Sequence, residues 1–495
     1  MKKIITILCL VFLVGISNSQ TGRSGKPVIT ISPFEYNTRG DNYPSAVSQN
    51  GKQLYYTTES GSQQVVSFTD MKNSRWQSPD EIESAVNSGK QNGSATLTPD
   101  GQFMVFASYK HDVSSLGRTD LYSSRKVNGK WQEIQNLGPS INTEYFDSQP
   151  TITSDGNTLY FISDRPNGQG GTDIYVSKKV NGNWQRAELV QNVNTANDEA
   201  TPFICSDNTT LYFASNRIGT MGGFDIYTSR LKAGLFTKPE NIGEPINSPS
   251  DEYAYIALPN SPIAYFSSDR TGGNGSLDIY KAEPNPEMPN AVVTMKGVVR
   301  NANTNDPLGA TVIITDLKTR KKVADMRSDD ITGEYFVTLT AGRSYSVTAS
   351  KEGYVFYSER IDVPMEEKGR EVEKDIFLAP IANDAETRLL VFFDTDKADL
   401  KDESLSDLDR TSDFLKDNSG IKVRIEGHTD DVGDDNYNLQ LSQRRAESVK
   451  SYLVNQGIDT KRITVQGFGE TKPKLKGTTD EVRAQNRRVE MKIVK

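Results

Sequence analysis

Few residues in this chain have side chains that could do chemistry, and two of them are well placed to act together. Among 495 residues there are two histidines, His111 and His428, and two cysteines, Cys9 and Cys205. Such low numbers exclude a His/Cys zinc cluster. Pairs of opposite charge are another possibility, and Asp430 with Arg445, fifteen residues apart, is one such pair. Because a guanidinium can bind a carboxylate through two parallel hydrogen bonds, this pair points to binding rather than catalysis.

The elements around this pair should bring its members together. IKVRIEGHTD predicts a strand that ends at Asp430, and LQLSQRRAESVKSYLVNQG predicts a helix near 439–456 that carries Arg445 in its first turns. The end of a strand and the start of the next helix are adjacent in a βα unit. Backbone N–H groups at the helix start would further favour an anion. One face of this helix is apolar and Gly457 should cap its end; the apolar residues are Leu441, Ala446, Val449 and Leu453.

Residues 388–495 predict a small α/β sandwich with alternating strands and helices. After a linker at 380–387, the order is LLVFFD, a helix near 402–418, IKVRIEGHTD, the helix near 439–456, ITVQGFG, a last helix and RRVEMKIV. GHTDDVGDDNYNLQLSQRRAESVKSYLVNQGI, ITVQGFGE and QNRRVEMKI together resemble the OmpA-like peptidoglycan-binding domain, which Pal and MotB share. The resemblance covers about residues 385–495.

This resemblance implies a ligand and a set of site residues. The ligand would be the meso-diaminopimelate side chain of the peptidoglycan stem peptide, a zwitterion whose ammonium Asp430 takes and whose carboxylate Arg445 binds. Thr429, Asn438, Leu439 and Arg488 match positions that line the family's groove, and Phe393 with Asp394 matches the end of the first strand. The alternative is that Asp430 and Arg445 only form a surface ion pair. His428 is interpreted as structural, because no second histidine or cysteine lies near it in the sequence.

Residues 20–282 contain a repeat of about 50 residues. Asp-Leu/Ile-Tyr triplets recur every 52 or 53 residues, at 120–122, 173–175, 225–227 and 278–280. Each unit holds four short strands joined by turns, which predicts a β-propeller with five blades, or six as the alternative. The fifth unit lacks its outermost strand, and PVITISPFEY (27–36) is available to replace it. SDG-x-x-LYF-x-SDR and GG-x-DIY resemble the PD40 (WD40-like) repeats of TolB. Their Asp and Arg residues are interpreted as turn and blade-to-blade contacts, with a ligand or calcium role as the alternative.

Between these two regions lies a second β-rich module. A Pro-rich linker, EPNPEMPN (283–290), precedes residues 291–379, whose short alternating strands predict a small β-sandwich. The motifs GxV, PLxGAxV, DxxGxY and GxxYxVxAxKxGY resemble the carboxypeptidase-regulatory-like domain. This resemblance implies a spacer or binding module without catalytic groups.

Residues 1–19 have the pattern of an export signal. Lys2 and Lys3 precede an apolar run from Ile4 to Ile16, and cleavage is expected before Gln20. The run is shorter than the roughly 20 residues that a membrane-spanning helix needs, so no transmembrane helix is expected in the mature chain. Cys9 lies inside the run, without the preceding small residues that lipidation requires. Loss of the two lysines takes the formal charge from −8 to about −10, which argues against nucleic acid as a partner.

Together these features predict a non-enzymatic protein of the periplasm, associated with the outer membrane and cell wall. It would bind peptidoglycan through residues 388–495 and present the propeller to other envelope proteins. The alternative is a structural component of a secretion or motility machine that is braced on the wall. An enzyme is not expected, because the chain lacks GxSxG and its only histidine after the propeller is His428. No cofactor and no metal are expected.

Overall fold

Strands dominate the described part of the chain, and the α-helices are confined to its C-terminal domain. The computed structural model describes residues 28–60 and 62–494. In these ranges, no helix is both long and apolar enough to cross a membrane. The predicted export signal and Cys9 lie outside the described residues.

The N-terminal region consists of five antiparallel sheets in chain order. A separate first strand, β1 (Thr30–Pro33), precedes them. The first sheet holds β2 (Tyr43–Val47), β3 (Gln53–Ser60), β4 (Gln63–Lys72), β5 (Arg75–Trp76) and β6 (Asp80–Glu81). The second holds β7 (Gln91–Leu97), β8 (Phe103–Tyr109), β9 (Asp120–Val127) and β10 (Lys130–Asn136).

The remaining three sheets repeat this plan. The third holds β11 (Asp147–Ile152), β12 (Thr158–Ser163), β13 (Asp173–Val180), β14 (Asn183–Trp184) and β15 (Glu188–Leu189). The fourth holds β16 (Glu199–Ile204), β17 (Thr210–Ser215), β18 (Asp225–Lys232), β19 (Leu235–Phe236) and β20 (Glu240–Asn241). The fifth holds β21 (Glu252–Ala257), β22 (Ala264–Ser268) and β23 (Asp278–Glu283).

The five sheets contact one another in a ring. The first strand of each sheet packs against the first strand of the next, in the order β2, β7, β11, β16 and β21, and β21 packs against β2. The fourth strand of the fifth sheet is β1, which pairs antiparallel with β23 from Thr30↔Glu283 to Pro33↔Tyr280. The prediction that the N-terminal segment replaces the missing strand is therefore confirmed. This pairing covers a sheet edge that would otherwise be open.

The repeated Asp and Arg residues form internal contacts in the sheets. In the third sheet, Arg165 pairs with buried Asp147 at 2.5 Å and also donates to the Ile141 carbonyl at 2.7 Å. Asp173, from the recurring triplet, accepts the backbone N–H groups of Gln169 and Gly170 in the preceding turn. These contacts agree with the structural interpretation of the repeated residues.

Two four-stranded sheets follow. They contain β24 (Val292–Asn301), β25 (Thr311–Asp316), β26 (Lys322–Arg327), β27 (Glu334–Thr340), β28 (Arg343–Ser350), β29 (Tyr357–Val363), β30 (Glu371–Glu373) and β31 (Ile376–Leu378). One sheet has β24 at its centre, paired with β27, β30 and β31, and the other has the order β26-β25-β28-β29. Their facing sides share one apolar core, which includes Val299, Val312 and Val347. The two sheets together form a β-sandwich.

The C-terminal domain is a four-stranded sheet with helices. Its elements are β32 (Glu386–Leu389), α1 (Leu405–Asp417), β33 (Lys422–His428), α2 (Asp435–Asn455), β34 (Ile463–Gly467), α3 (Asp480–Asn486) and β35 (Arg488–Val494). The sheet order is β32-β35-β33-β34, and only β33 and β34 run parallel. Val355 and Phe356, which lie between β28 and β29, join its apolar core. The sandwich is therefore packed directly against this domain.

Three predicted elements in this domain have wrong boundaries. The strand predicted to end at Asp430 ends at His428. The first strand lies at Glu386–Leu389 rather than at 389–394, because the N–H of Leu390 donates to the Asp407 carboxylate and that of Phe392 donates to the Ser404 hydroxyl. Those donors are then not available to a neighbouring strand. Helix α2 begins at Asp435, four residues earlier than predicted, because the Asp434 side chain accepts the Tyr437 N–H at 3.0 Å and caps it.

Candidate functional site

Asp430 lies in the loop that connects β33 to α2. One of its carboxylate oxygens accepts the Val432 N–H at 3.2 Å, which holds the carboxylate against its own loop. The other oxygen forms an ion pair of 2.5 Å with the Arg487 guanidinium. The Asp430 side chain is 13% exposed and that of Arg487 is 48% exposed. Asp430 is therefore partly accessible to solvent. Among the described residues its only ion-pair partner is Arg487, which has a long and half-exposed side chain.

Arg445 is buried, and its hydrogen bonds go to neutral groups. Its Nε donates to the Lys397 carbonyl at 3.0 Å and an Nη donates to the Asp394 carbonyl at 3.4 Å. The guanidinium lies over the Phe393 ring, 4.9 Å from its centre. Burial lowers the pKa of Arg445, and the nearby carboxylates of Asp396 and Asp430 act in the opposite direction. Within the described residues no carboxylate pairs with this guanidinium at 4.0 Å or less.

These contacts exclude the alternative that Asp430 and Arg445 only form a surface ion pair with each other. An ion pair between Asp430 and Arg445 does not form in this structure, because Asp430 pairs with Arg487 and Arg445 bonds to carbonyls. The two groups nevertheless lie close enough for the charge of Asp430 to act on the pKa of Arg445. One anion and one cation thus share a region without neutralising each other.

Helix α2 reaches this region because it packs directly on the sheet. A Cβ at Gly427 would lie 2.1 Å from the Ser442 carbonyl oxygen, and one at Gly467 would lie 2.5 Å from the Gln443 nitrogen. Only glycine allows this approach. Arg445 follows Ser442 by three residues and so lies on the same side of the helix. Side chains on a helix lean toward its N-terminus, which directs Arg445 back toward the loops at the strand ends.

The sequence predicts Arg445 in the first turns of the helix, but it lies farther along α2. Arg445 lies ten residues after Asp435, which places it in the third turn and about 15 Å along the axis from the first. The free N–H groups at the N-terminus therefore lie far from the Arg445 backbone, and one of them is already bonded to Asp434. The expectation that these N–H groups favour the bound anion stays a prediction, because the Arg445 side chain extends from the third turn back toward the helix N-terminus.

The other predicted residues differ in what they can offer. Asn438 is buried, and its Nδ2 donates to the Val432 carbonyl at 3.1 Å and to a Glu470 carboxylate oxygen at 3.0 Å. It therefore joins the Asp430 loop to the helix. Leu439 is 45% exposed. Thr429 is buried, and its hydroxyl has no hydrogen-bond partner in the part of the chain that the structure describes.

Phe393 and Asp394 lie in the loop after β32, on the other side of Arg445. Phe393 is half-buried beneath the guanidinium. The exposed Asp394 carboxylate lies 3.5 Å from both Lys401 and Lys397, and these two ammonium groups lower its pKa. Phe393 therefore supports the guanidinium from below, whereas the Asp394 side chain is directed to lysines.

Arg487 is the site residue that the sequence did not single out. Its neighbour Arg488 is buried, pairs with Glu490 at 2.7 Å and donates to the Asn486 and Lys472 carbonyls. The bonds of Arg488 are thus satisfied inside the domain, while Arg487 meets Asp430. Adjacent residues at the start of a strand point in opposite directions, so QNRR indicated that one arginine would face the site. The sequence did not show which one.

A second polar cluster surrounds His428. Glu426, His428 and Glu490 have ligand atoms within 4.8 Å of one another, which is a spacing that could hold a metal ion. Each carboxylate already pairs with a guanidinium: Arg424 lies 2.5 Å from Glu426 and Arg488 lies 2.7 Å from Glu490. His428 is buried and stacked on Phe468, with ring centres 5.3 Å apart. This arrangement is a buried ionic network and agrees with a structural role for His428.

Comparison with known proteins identifies the C-terminal domain. The model of the OmpA family matches residues 392–487, a range that contains Asp430, Arg445 and Arg487. The C-terminal domain is an OmpA family domain. Outer membrane porin F of Pseudomonas fluorescens is 43% identical over 115 residues, which are 23% of this chain and 35% of that protein. The peptidoglycan-associated lipoprotein of Pseudomonas aeruginosa is 42% identical over 101 residues, which are 20% of this chain and 60% of that protein.

A third relative is similar over a stretch of about the same length. Outer membrane protein A of Bordetella avium is 42% identical over 116 residues, 23% of this chain and 60% of that protein. The chain thus spans between about a third and 60% of the length of these relatives. The similarity concerns the OmpA family domain, and the five sheets and the sandwich lie outside it.

Proposed function

We propose that this chain is a non-enzymatic cell-envelope protein whose OmpA family domain binds peptidoglycan by its diaminopimelate side chain. The observation that carries the proposal is the state of Arg445: a buried guanidinium that bonds to backbone carbonyls, forms no ion pair with a carboxylate of the described residues, and has a pKa that burial lowers and the charge of Asp430 acts to raise. The name of one relative, the peptidoglycan-associated lipoprotein, supports the same ligand. The names of the other two relatives support a location at the outer membrane. The peptidoglycan wall lies on the periplasmic side of this membrane.

The two charges suit the two ends of the ligand. A ligand carboxylate bound at Arg445 supplies the counter-charge that this guanidinium lacks among the described residues. The guanidinium is buried, and charge-assisted hydrogen bonds are strongest where water is excluded. A ligand ammonium bound at Asp430 has to share the Asp430 carboxylate with the Arg487 guanidinium or displace that guanidinium. Because Arg487 is about half exposed, its ion pair contributes no more than about 1 kcal/mol, and displacing it costs little.

Isosteric variants with neighbouring controls test this site. Asp430→Asn removes the anion, and Arg445→Lys keeps a cation but removes the fork of the guanidinium. Asp431→Asn is the control for the first, because Asp431 is adjacent and pairs with Arg483. Arg444→Lys is the control for the second, because Arg444 is adjacent and exposed. The measurements are sedimentation of the full chain with purified peptidoglycan and an NMR titration with meso-diaminopimelate.

Both site variants are expected to weaken binding at least about tenfold, since each removes a charge-assisted contact. Both control variants are expected to bind as the unchanged chain does. Equal binding by all four variants contradicts the proposed site. Equal weakening in site and control variants, with no change in the unfolding midpoint, shows that only the net charge of the surface matters and also contradicts it.

The N-terminal part of the proposal concerns interactions. We infer that the five sheets are the blades of a propeller and that the sandwich is a carboxypeptidase-regulatory-like spacer between this propeller and the wall anchor. The ring of contacts among first strands and the pairing of β1 with β23 support this reading. Cross-linking in cells followed by recovery of the full chain tests it: a fixed set of envelope proteins is expected, and recovery of peptidoglycan alone contradicts a partner-binding role.

A further inference from the structure

A cavity of about 270 Å³ lies where the first strands of the five sheets meet, remote in sequence from the OmpA family domain. All five sheets contribute to its twenty lining positions, and none of these residues is charged. Since 25% of the chain is charged, composition alone would place about five charged residues there. The cavity is therefore polar but electrically neutral.

Bulges in the first strands shape this cavity. Each first strand shifts register once, and the residues at four of these shifts have positive φ: Ser94, Gln149, Thr201 and Ala254, with values of 49°, 51°, 43° and 53°. Bulges and left-handed residues other than glycine are costly, and they persist where surrounding bonds hold them. Here the Thr201 N–H donates to Gln149 Oε1 at 2.6 Å, and the Ala254 N–H donates to Thr201 Oγ1 at 2.8 Å. The distorted strands are thus bonded to one another around the cavity.

Two polar side chains of the lining have a group without a partner among the described residues. Ser45, at the bulge of β2, has a buried hydroxyl with no hydrogen bond among the described residues. Gln149 uses its Oε1 for Thr201, and over the same described ranges its Nε2 donates to no group. Both belong to the lining. Buried polar groups are normally hydrogen-bonded, so the unpaired Ser45 hydroxyl indicates a partner that can form a hydrogen bond with it. Gln149 is half-buried, and its Nε2 is an accessible donor in the same lining.

Aromatic rings lie beside these polar groups. Tyr43, Phe146 and Phe203 are half-buried and line the same cavity. Small-ligand sites usually combine apolar and aromatic walls with a few placed polar groups, and they are commonly about 300–1,000 Å³ in volume. This cavity lies just below that range, which suits a ligand of about one ring.

We propose that this cavity binds a neutral carbohydrate, as a monosaccharide or as the end ring of a short oligosaccharide. A sugar hydroxyl donates and accepts hydrogen bonds, which matches the amides and hydroxyls of the lining. The C–H faces of a sugar ring match the aromatic side chains. A charged ligand does not fit, because a neutral lining would bury its charge without a counter-charge.

The test uses the full chain, saturation-transfer NMR and calorimetry. The probes are glucose, N-acetylglucosamine and the β-1,4-linked dimer of N-acetylglucosamine, with glucuronate as the charged counterpart. Gln149→Glu keeps the acceptor for the Thr201 N–H but replaces the free donor by an oxygen and adds a charge. Gln132→Glu is the matched control, because Gln132 is exposed and outside the lining.

At least one neutral sugar is expected to bind, with glucuronate bound more weakly. Gln149→Glu is expected to weaken the sugar at least tenfold, while Gln132→Glu leaves it unchanged. If Gln149→Glu alters the tryptophan fluorescence of the folded chain, Ser45→Leu is used in its place. This variant fills part of the cavity, and in the described part of the chain the Ser45 hydroxyl has no hydrogen bond to lose. It is also expected to weaken sugar binding at least tenfold. The proposal is overturned if no neutral sugar binds, if glucuronate binds as well as the sugars, or if the cavity variant binds unchanged. Asp430→Asn is expected to retain sugar binding, which separates this site from the proposed diaminopimelate site.

Discussion

Replacement of Glu490 by glutamine is expected to destabilise the OmpA family domain by about 3 kcal/mol. Burial alone would raise the pKa of Glu490, but the nearby His428, whose Nε2 lies 3.4 Å from the carboxylate, and the hydrogen-bonded Arg488 guanidinium lower it from 4.5 to about 2. That difference corresponds to about 3 kcal/mol of stabilisation of the charged form. Part of this stabilisation is the ion pair with the buried Arg488 guanidinium, which the variant leaves without its counter-charge.

Two spectroscopic probes can locate this loss within the chain. All three tryptophans, Trp76, Trp131 and Trp184, lie in the five-sheet region, whereas α1, α2 and α3 all lie in the OmpA family domain. In urea unfolding, tryptophan fluorescence therefore reports the five sheets and helical circular dichroism reports the C-terminal domain. We expect Glu490→Gln to move only the helical transition to lower urea concentration. Glu447→Gln, at an exposed position on α2, is the control and is expected to move neither.

The pH dependence provides a second check on the same residue. Because the pKa of Glu490 is lower in the folded state than in the unfolded state, its contribution is complete above about pH 4.5 and is lost as the pH falls toward 2. The difference in stability between the unchanged chain and Glu490→Gln should therefore shrink over this interval. A difference that stays constant from pH 6 to pH 3, or a helical transition that Glu490→Gln does not move, would refute the reasoning.

Two further predictions concern the supports of the site. Gly427→Ala is expected to destabilise the domain by about 3 kcal/mol, because the new Cβ would collide with the Ser442 carbonyl; Gly420→Ala, which meets no atom within 4 Å, is the control in the same unfolding experiment. Asn438→Ala is expected to weaken the binding of meso-diaminopimelate about tenfold in the NMR titration, because the Val432 carbonyl of the Asp430 loop and the Glu470 carboxylate both lose their donor on the helix. Unchanged affinity would show that the loop holds its shape without this side chain.

Local patterns predicted the elements of the C-terminal domain well. The alternation of apolar residues marked β33 and β34, and Gly457, with a φ of 94°, follows the end of α2 as a C-capping glycine should. The first strand was predicted at 389–394, because LLVFF is apolar, but it lies at Glu386–Leu389. Its true end depends on Asp407 and Ser404, which lie in or just before α1 and bond to the backbone of 390–392. A contact of this kind leaves no periodic signal in the sequence.

The sequence by itself determined the repeat, the order of the modules and the presence of one carboxylate and one guanidinium near the end of β33, because these depend on residue spacing and on short-range preferences of the backbone. Only the tertiary structure decided that Arg487 rather than Arg488 meets Asp430, that Arg445 bonds to carbonyls, and that the five first strands enclose an uncharged cavity. These outcomes depend on strand register and on which groups become buried together. Both are set by contacts between residues that lie far apart in the chain.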